Sequence, residues 1–80
     1  MIDPRYHKRI EVRRKERGGG MIWFPQDRMS EVRALLDQHA VPYWENATAV
    51  SDRGGPYIAS ITLSVKANLD QVQQLFDSLP

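Results

Sequence analysis

The stretch "YIASITLSVK", residues 57–66, decides how this chain folds. Tyr57, Ala59, Ile61, Leu63 and Val65 alternate with Ile58, Ser60, Thr62, Ser64 and Lys66. Side chains of a strand point to opposite faces in turn, so this period of two, rich in β-branched types, predicts a strand. Its core face is Tyr57/Ala59/Ile61/Leu63/Val65. The mostly polar opposite face fits an antiparallel sheet with one open side.

Immediately after it, the period changes. Leu69, Val72, Leu75, Phe76 and Leu79 fall on one stripe at helical spacing. Asn68 is a good N-cap, Asp70 suits the positive first turn, and Gln71 stands three residues after the cap, as in a capping box. On the other side of the strand, Ser51-Asp52-Arg53-Gly54-Gly55-Pro56 is dense in turn formers. "VPYWENATAV", residues 41–50, reads as the hairpin partner. One row is Val41, Tyr43, Ala47 and Ala49, with Glu45 as a misfit; the other is Pro42, Trp44, Asn46 and Thr48. The first row is preferred as the inner one, because small alanines let a helix pack closely, but a slip of one residue exchanges the faces. Residues 28–40 predict an earlier amphipathic helix, with Met29, Val32, Leu35, Leu36 and His39 on one side and Asp27 or Ser30 as cap. Pro42 ends it.

Residues 21–80 thus read strand or loop, helix, strand, strand, helix, a single α+β domain. The order resembles a ferredoxin-like βαββα unit, with two helices on one face of a small antiparallel sheet and the last strand of the full βαββαβ plan missing. "SEVRALLDQHAVPYWEN" followed by "ITLSVKANLDQVQQLFDSL" also looks like small prokaryotic signal-transducing domains, with Ala40 where their pattern has glycine before the aliphatic-Pro pair. This resemblance brings no catalytic residue. Fold-level relatives of the ACT and PII types bind small regulatory ligands and assemble through their sheets, so the resemblance implies regulation or association.

A missing last strand leaves an open sheet edge, which proteins normally cover. Residues 1–20 form a basic N-terminal segment, an edge strand or a flexible arm. In it His7, Arg9, Glu11 and Arg13 alternate with Lys8, Ile10, Val12 and Arg14. If Ile10 and Val12 face inward and "MIWFP" is the first strand, Gly18–Gly20 form a hairpin turn between them. In the alternative, residues 8–16 are the first strand and "GGGMIWFPQD" is a long loop.

Eighty residues bury only a modest core, and chains of this size are often helped by a partner or a second copy. Zero cysteines exclude disulfides and thiol chemistry and are compatible with a cytoplasmic location. No apolar run reaches the ~20 residues of a membrane helix, and no membrane partner is expected. The net charge of +1 is uneven. Residues 1–20 carry seven Lys/Arg against three Asp/Glu, a net of +4, and residues 21–80 carry four against seven, a net of −3.

Catalysis finds little support. His7 and His39 lack an obvious orienting partner, the acids Asp27, Glu31, Glu45 and Asp52 are scattered, and neither "ERGGGM" nor "DRGGPY" matches a phosphate-binding loop. No metal or cofactor is expected. A small-ligand sensor or enzyme with a site beside the 51–56 turn, where an anion nest could form near Arg53, is a third reading. Two features carry the functional expectations. Trp44, on the open face near Ile58, reads as an interface anchor, a base-stacking platform or, if the register slips, core. The run containing Arg9, Arg13, Arg14 and Lys15 reads as a solvated edge or as phosphate contacts. The expectation is a non-enzymatic binding or regulatory module that self-associates through Trp44, Ile58 and Trp23 or a strand edge, as a homodimer or with another protein. The alternative is a nucleic-acid-binding protein.

Overall fold

The computed structural model describes residues 1–46, 49–51 and 54–80. Its strands are β1 (Ile2–Asp3), β2 (Lys8–Arg9), β3 (Arg13–Arg14), β4 (Gly20–Pro25), β5 (Tyr43–Glu45), β6 (Val50–Ser51) and β7 (Tyr57–Leu63). Helix α1 (Met29–Gln38) follows a 3-10 turn at Gln26–Arg28, and α2 (Leu69–Asp77) closes the chain. The result is a small α+β fold with a strand order of β3-β4-β7-β5, and β6 also pairs with β7. All recorded pairings are antiparallel.

β7 is central because it is the most regular apolar strand. It pairs with β4 over six positions, from Gly20 opposite Leu63 to Pro25 opposite Ile58. Alternation then puts Ile22, Phe24, Ala59, Ile61 and Leu63 on one face, all buried in the same cluster as Val32 and Leu36 of α1 and Val72 and Phe76 of α2. Both helices therefore cover that face. The Phe24 and Phe76 rings stand 6.3 Å apart at 45°, a tilted aromatic pair at the centre of the core.

Both helix ends follow from local chemistry. Asn68 caps α2, its Oδ1 accepting from the Gln71 N–H at 3.1 Å, as its spacing predicts. Neither Asp27 nor Ser30 caps α1. Arg28 is the N-cap and gives no side-chain capping bond, because the chain enters through the 3-10 turn. At the other end of α1, the Val41 N–H donates to Leu36 O at 3.0 Å and the Ala40 N–H to Asp37 O at 3.1 Å. That is a Schellman motif, and it puts Ala40 in the left-handed region at φ 54°. His39 is exposed rather than part of the apolar stripe.

Two expected core residues of β7 are outside. Tyr57, the first residue of β7, is 60% exposed, and Val65 is 68% exposed because the strand ends at Leu63 and the chain turns through residues 65–67. In β5, Tyr43 packs against the core, while Trp44 stands opposite Thr62 on the other face, so the preferred inner row holds over 41–45. The misfit Glu45 lies at the rim and accepts from Arg33 Nη2 at 2.6 Å. Ala47 of that row, Thr48 of the opposite one, and Asp52 and Arg53 of the proposed anion nest lie outside the described residues.

The basic segment packs on the domain. β3 pairs with the start of β4, Arg13 opposite Met21 and Arg14 opposite Gly20, and Gly18 and Gly19 make the intervening turn at φ 95° and 74°. A Cβ on Gly19 would stand 2.5 Å from Leu63 O, so only glycine fits there. The edge strand expected over residues 7–14 is confined to residues 13–14. Upstream, the chain leaves β4 and turns to α2. The Val12 N–H donates to Gln73 Oε1 at 2.8 Å and Gln73 Nε2 donates to Ile10 O at 2.9 Å, so one side-chain amide occupies the backbone groups that a strand partner would. Ile10 and Met1 enter the core. The Met1 ammonium donates to Phe76 O at 2.8 Å and Leu79 O at 2.6 Å, where the end of α2 favours a cation.

Candidate functional site

Both helices pack on the first sheet face; on the second, Ile58, Ser60 and Thr62 of β7 are nonetheless buried, and the rows are set by the strand register. Arg13, Met21, Thr62 and Trp44 stand opposite one another in sequence across four strands. The next outward row pairs Trp23 with Ser60, and a third aligns Pro25, Ile58 and Val50. Trp44 is 56% exposed and Val50 is 55% exposed, whereas Ile58 is 2% exposed. Ile58 therefore lies under its neighbours and supports the face without offering contact area. Trp23 and Met21 are half-buried.

The middle of this face is polar but saturated. Asn46 Nδ2 donates to Ser60 Oγ at 3.0 Å, Thr62 Oγ1 donates to Asn46 Oδ1 at 3.2 Å, and the Asn46 N–H donates to Ser60 O at 3.1 Å. One amide thus fixes both buried hydroxyls, and neither faces a base that would activate it as a nucleophile. Among the described residues, neither histidine side chain makes a hydrogen bond, and no group of three or more His, Asp or Glu side chains converges to hold a metal ion. No helix among them is long and apolar enough to cross a membrane.

The predicted cations are dispersed. Arg9 Nη1 reaches Asp77 Oδ2 at 3.1 Å, with Glu11 3.8 Å from its Nε, and Arg14 Nη2 reaches Asp70 Oδ1 at 2.7 Å. Both are thereby turned toward α2. Arg13 lies on the second face at its β3 edge, and Lys15 stands exposed at the start of the glycine turn. Arg13 also lines a crevice of about 190 Å³ beside the part of β4 that β3 leaves unpaired, together with Trp23 and the β1–β2 hairpin. The hairpin is rigidified by Asp3, which accepts from the Arg5 N–H at 2.8 Å, Nε at 3.2 Å and Nη2 at 2.9 Å. These Arg5 hydrogen bonds, opposed by burial, hold the Asp3 carboxyl below its ordinary pKa.

Comparison with protein-family models, curated proteins and solved structures gives no match to this chain. The site therefore rests on its own geometry. The sequence reading missed Asn46 as the clamp of the face and Met21 and Val50 as members of it. A signal existed for Asn46: an amide two residues from Trp44 faces the polar row Ser60/Thr62 once the strands are set in register. Tyr6, which also lines the crevice, had no sequence signal, because only the hairpin at residues 4–7 brings it there.

Proposed function

We propose that the protein is a small non-enzymatic interaction module that pairs with a second copy through the sheet face opposite the helices, in a reducing cytoplasmic setting. The observation that carries this is the character of that face. Trp44 and Val50 are more than half exposed on it, Trp23 and Met21 flank them, and among the described residues of its three rows the charged one is Arg13, at the β3 end. A two-fold interface lays a surface on itself, so any charge near the axis would meet its own kind; a charge-free centre avoids that repulsion. The nearest charge in these rows, Arg13, stands at the edge, as interface rims favour.

The same reading takes the sheet as a ferredoxin-like plan. The order β3-β4-β7-β5, with two helices on one face, supports it, with β3 standing where the absent last strand would be. Regulation by association through the sheet follows from that plan by analogy of architecture alone.

Sedimentation equilibrium of wild type against Trp44→Ala tests the reading. Tryptophan anchors at interface centres are worth about 2 kcal/mol or more, so the variant should dissociate at roughly 30-fold higher concentration. Unchanged circular dichroism would show that Trp44→Ala remains folded. A wild type that stays monomeric at the highest concentrations attainable would overturn the proposal.

A further inference from the structure

The crevice between β4 and the N-terminal hairpin has the composition of a site for a phosphate ester that carries a flat ring. Its lining mixes two aromatics, Trp23 and Tyr6, with four cations, Arg5, Lys8, Arg9 and Arg13, and two carboxylates, Asp3 and Glu11. The carboxylates are accounted for: Asp3 is gripped by Arg5, and Glu11 stands 3.8 Å from Arg9, which also binds Asp77. Lys8 and Arg13 form no ion pair among the described residues. Two charges therefore remain for an anion. The Arg5 guanidinium lies 5.0 Å from the centre of the Tyr6 ring and is tied to Asp3, so that wall is held in place without a ligand.

The second element is an interrupted edge. β3 pairs with β4 only as far as Met21, and Gln73 draws residues 10–12 away to α2. The ladder is opened there by a specific side-chain bond, and Trp23 lines the gap thus formed. The volume of about 190 Å³ is below the roughly 300–1,000 Å³ of sites that enclose a whole drug-sized ligand. One phosphate and part of one base would be seated, with the rest of the ligand outside. Lys15 and Arg17, with Glu16 between them, are exposed along the turn that follows β3.

We infer that this crevice binds the phosphate and base of a nucleotide unit, as a free nucleotide or within a single-stranded nucleic acid. Lys8 and Arg13 contact the phosphate, and Trp23 offers its ring to the base. Aromatic stacking is indifferent to base identity, so little sequence preference is expected.

Fluorescence anisotropy of a fluorescein-labelled single-stranded oligothymidylate, with adenosine monophosphate and inorganic phosphate as competitors, tests it on the full 80-residue chain. One seated phosphate predicts a log–log salt slope of about −0.7, so affinity should fall about threefold from 50 to 200 mM salt. Lys8→Ala and Arg13→Ala, both at exposed positions, should each flatten that slope by about half. Trp23→Phe keeps an aromatic ring and should retain most binding even if Trp23→Ala does not fold. Competition by adenosine monophosphate but not by phosphate supports the site with a free nucleotide as the ligand. Failure of both to compete, with binding still lost in the two variants, supports it with the strand as the ligand. Absence of oligothymidylate binding at 50 mM salt, or binding indifferent to Lys8→Ala and Arg13→Ala, would overturn the inference. Trp44→Ala should leave the affinity unchanged, which separates this outcome from that of the association test.

Discussion

At the level of single residues, backbone conformation and charge decide more than side-chain size. Ala40 sits at φ 54° in the Schellman turn that ends α1, a region where an L residue costs roughly 1–2 kcal/mol and glycine does not. Glycine loses more freedom on folding, which offsets part of the gain. Ala40→Gly should therefore stabilise the fold by about 0.5–1 kcal/mol and raise Tm by about 3–6 °C in a chain of this length. Calorimetry showing a lower Tm would mean that the alanine methyl makes packing contacts that outweigh its strain. Asp3 gives a pH-dependent prediction. Its carboxyl titrates below the ordinary value when folded, so its stabilising effect is complete above the unfolded pKa and fades as pH falls through the lowered folded one. Asp3→Asn should be less stable than wild type at pH 7, with the difference shrinking as pH drops below about 4. Denaturation curves with a constant difference from pH 7 to pH 2 would assign the effect to shape and not to ionisation.

Between elements, the contact that defines this fold is an amide in place of a strand. Gln73 of α2 takes the Val12 N–H and Ile10 O, and this holds the N-terminal segment against the helix while Ile10 fills the core. Gln73→Ala would leave two partly buried backbone groups without partners, a cost of about 1–3 kcal/mol. Faster amide exchange should be concentrated at Val12 and its neighbours, with α2 keeping most of its protection. Uniform loss across the protein would show that the segment and the domain open together. The strand at 57–63 and the helix at 69–77 were legible because each obeys one period with its caps in place. The extent of the N-terminal strand was not, because Ile10 and Val12 satisfy a period of two whether their backbone pairs with β4 or with Gln73.

Across the whole molecule, the balance is between a one-sided sheet and its size. Four strands at about 4.8 Å and six residues at about 3.3 Å give a face of only about 19 by 20 Å. That is roughly half of the ~800 Å² per partner of a standard interface, so the proposed dimer should be weak, with a Kd in the micromolar range or above. A concentration series in analytical ultracentrifugation measures this directly; a nanomolar dimer would require a larger surface than this face provides.

The sequence by itself determined the α+β class, the central strand, both helices and the glycine turn, since these depend on periods and caps within a few residues. It also placed Trp44 on an outward row and the positive charge in the first twenty residues. Only the tertiary structure decided that Ile58 is covered, that Val65 is not, and that Arg9 and Arg14 are turned toward α2 while Lys8 and Arg13 are left to a crevice. Those outcomes depend on which strand lies beside which and where a ladder stops. Contacts between residues sixty or more positions apart, such as Gln73 with Ile10, fix them, and no local pattern carries that information.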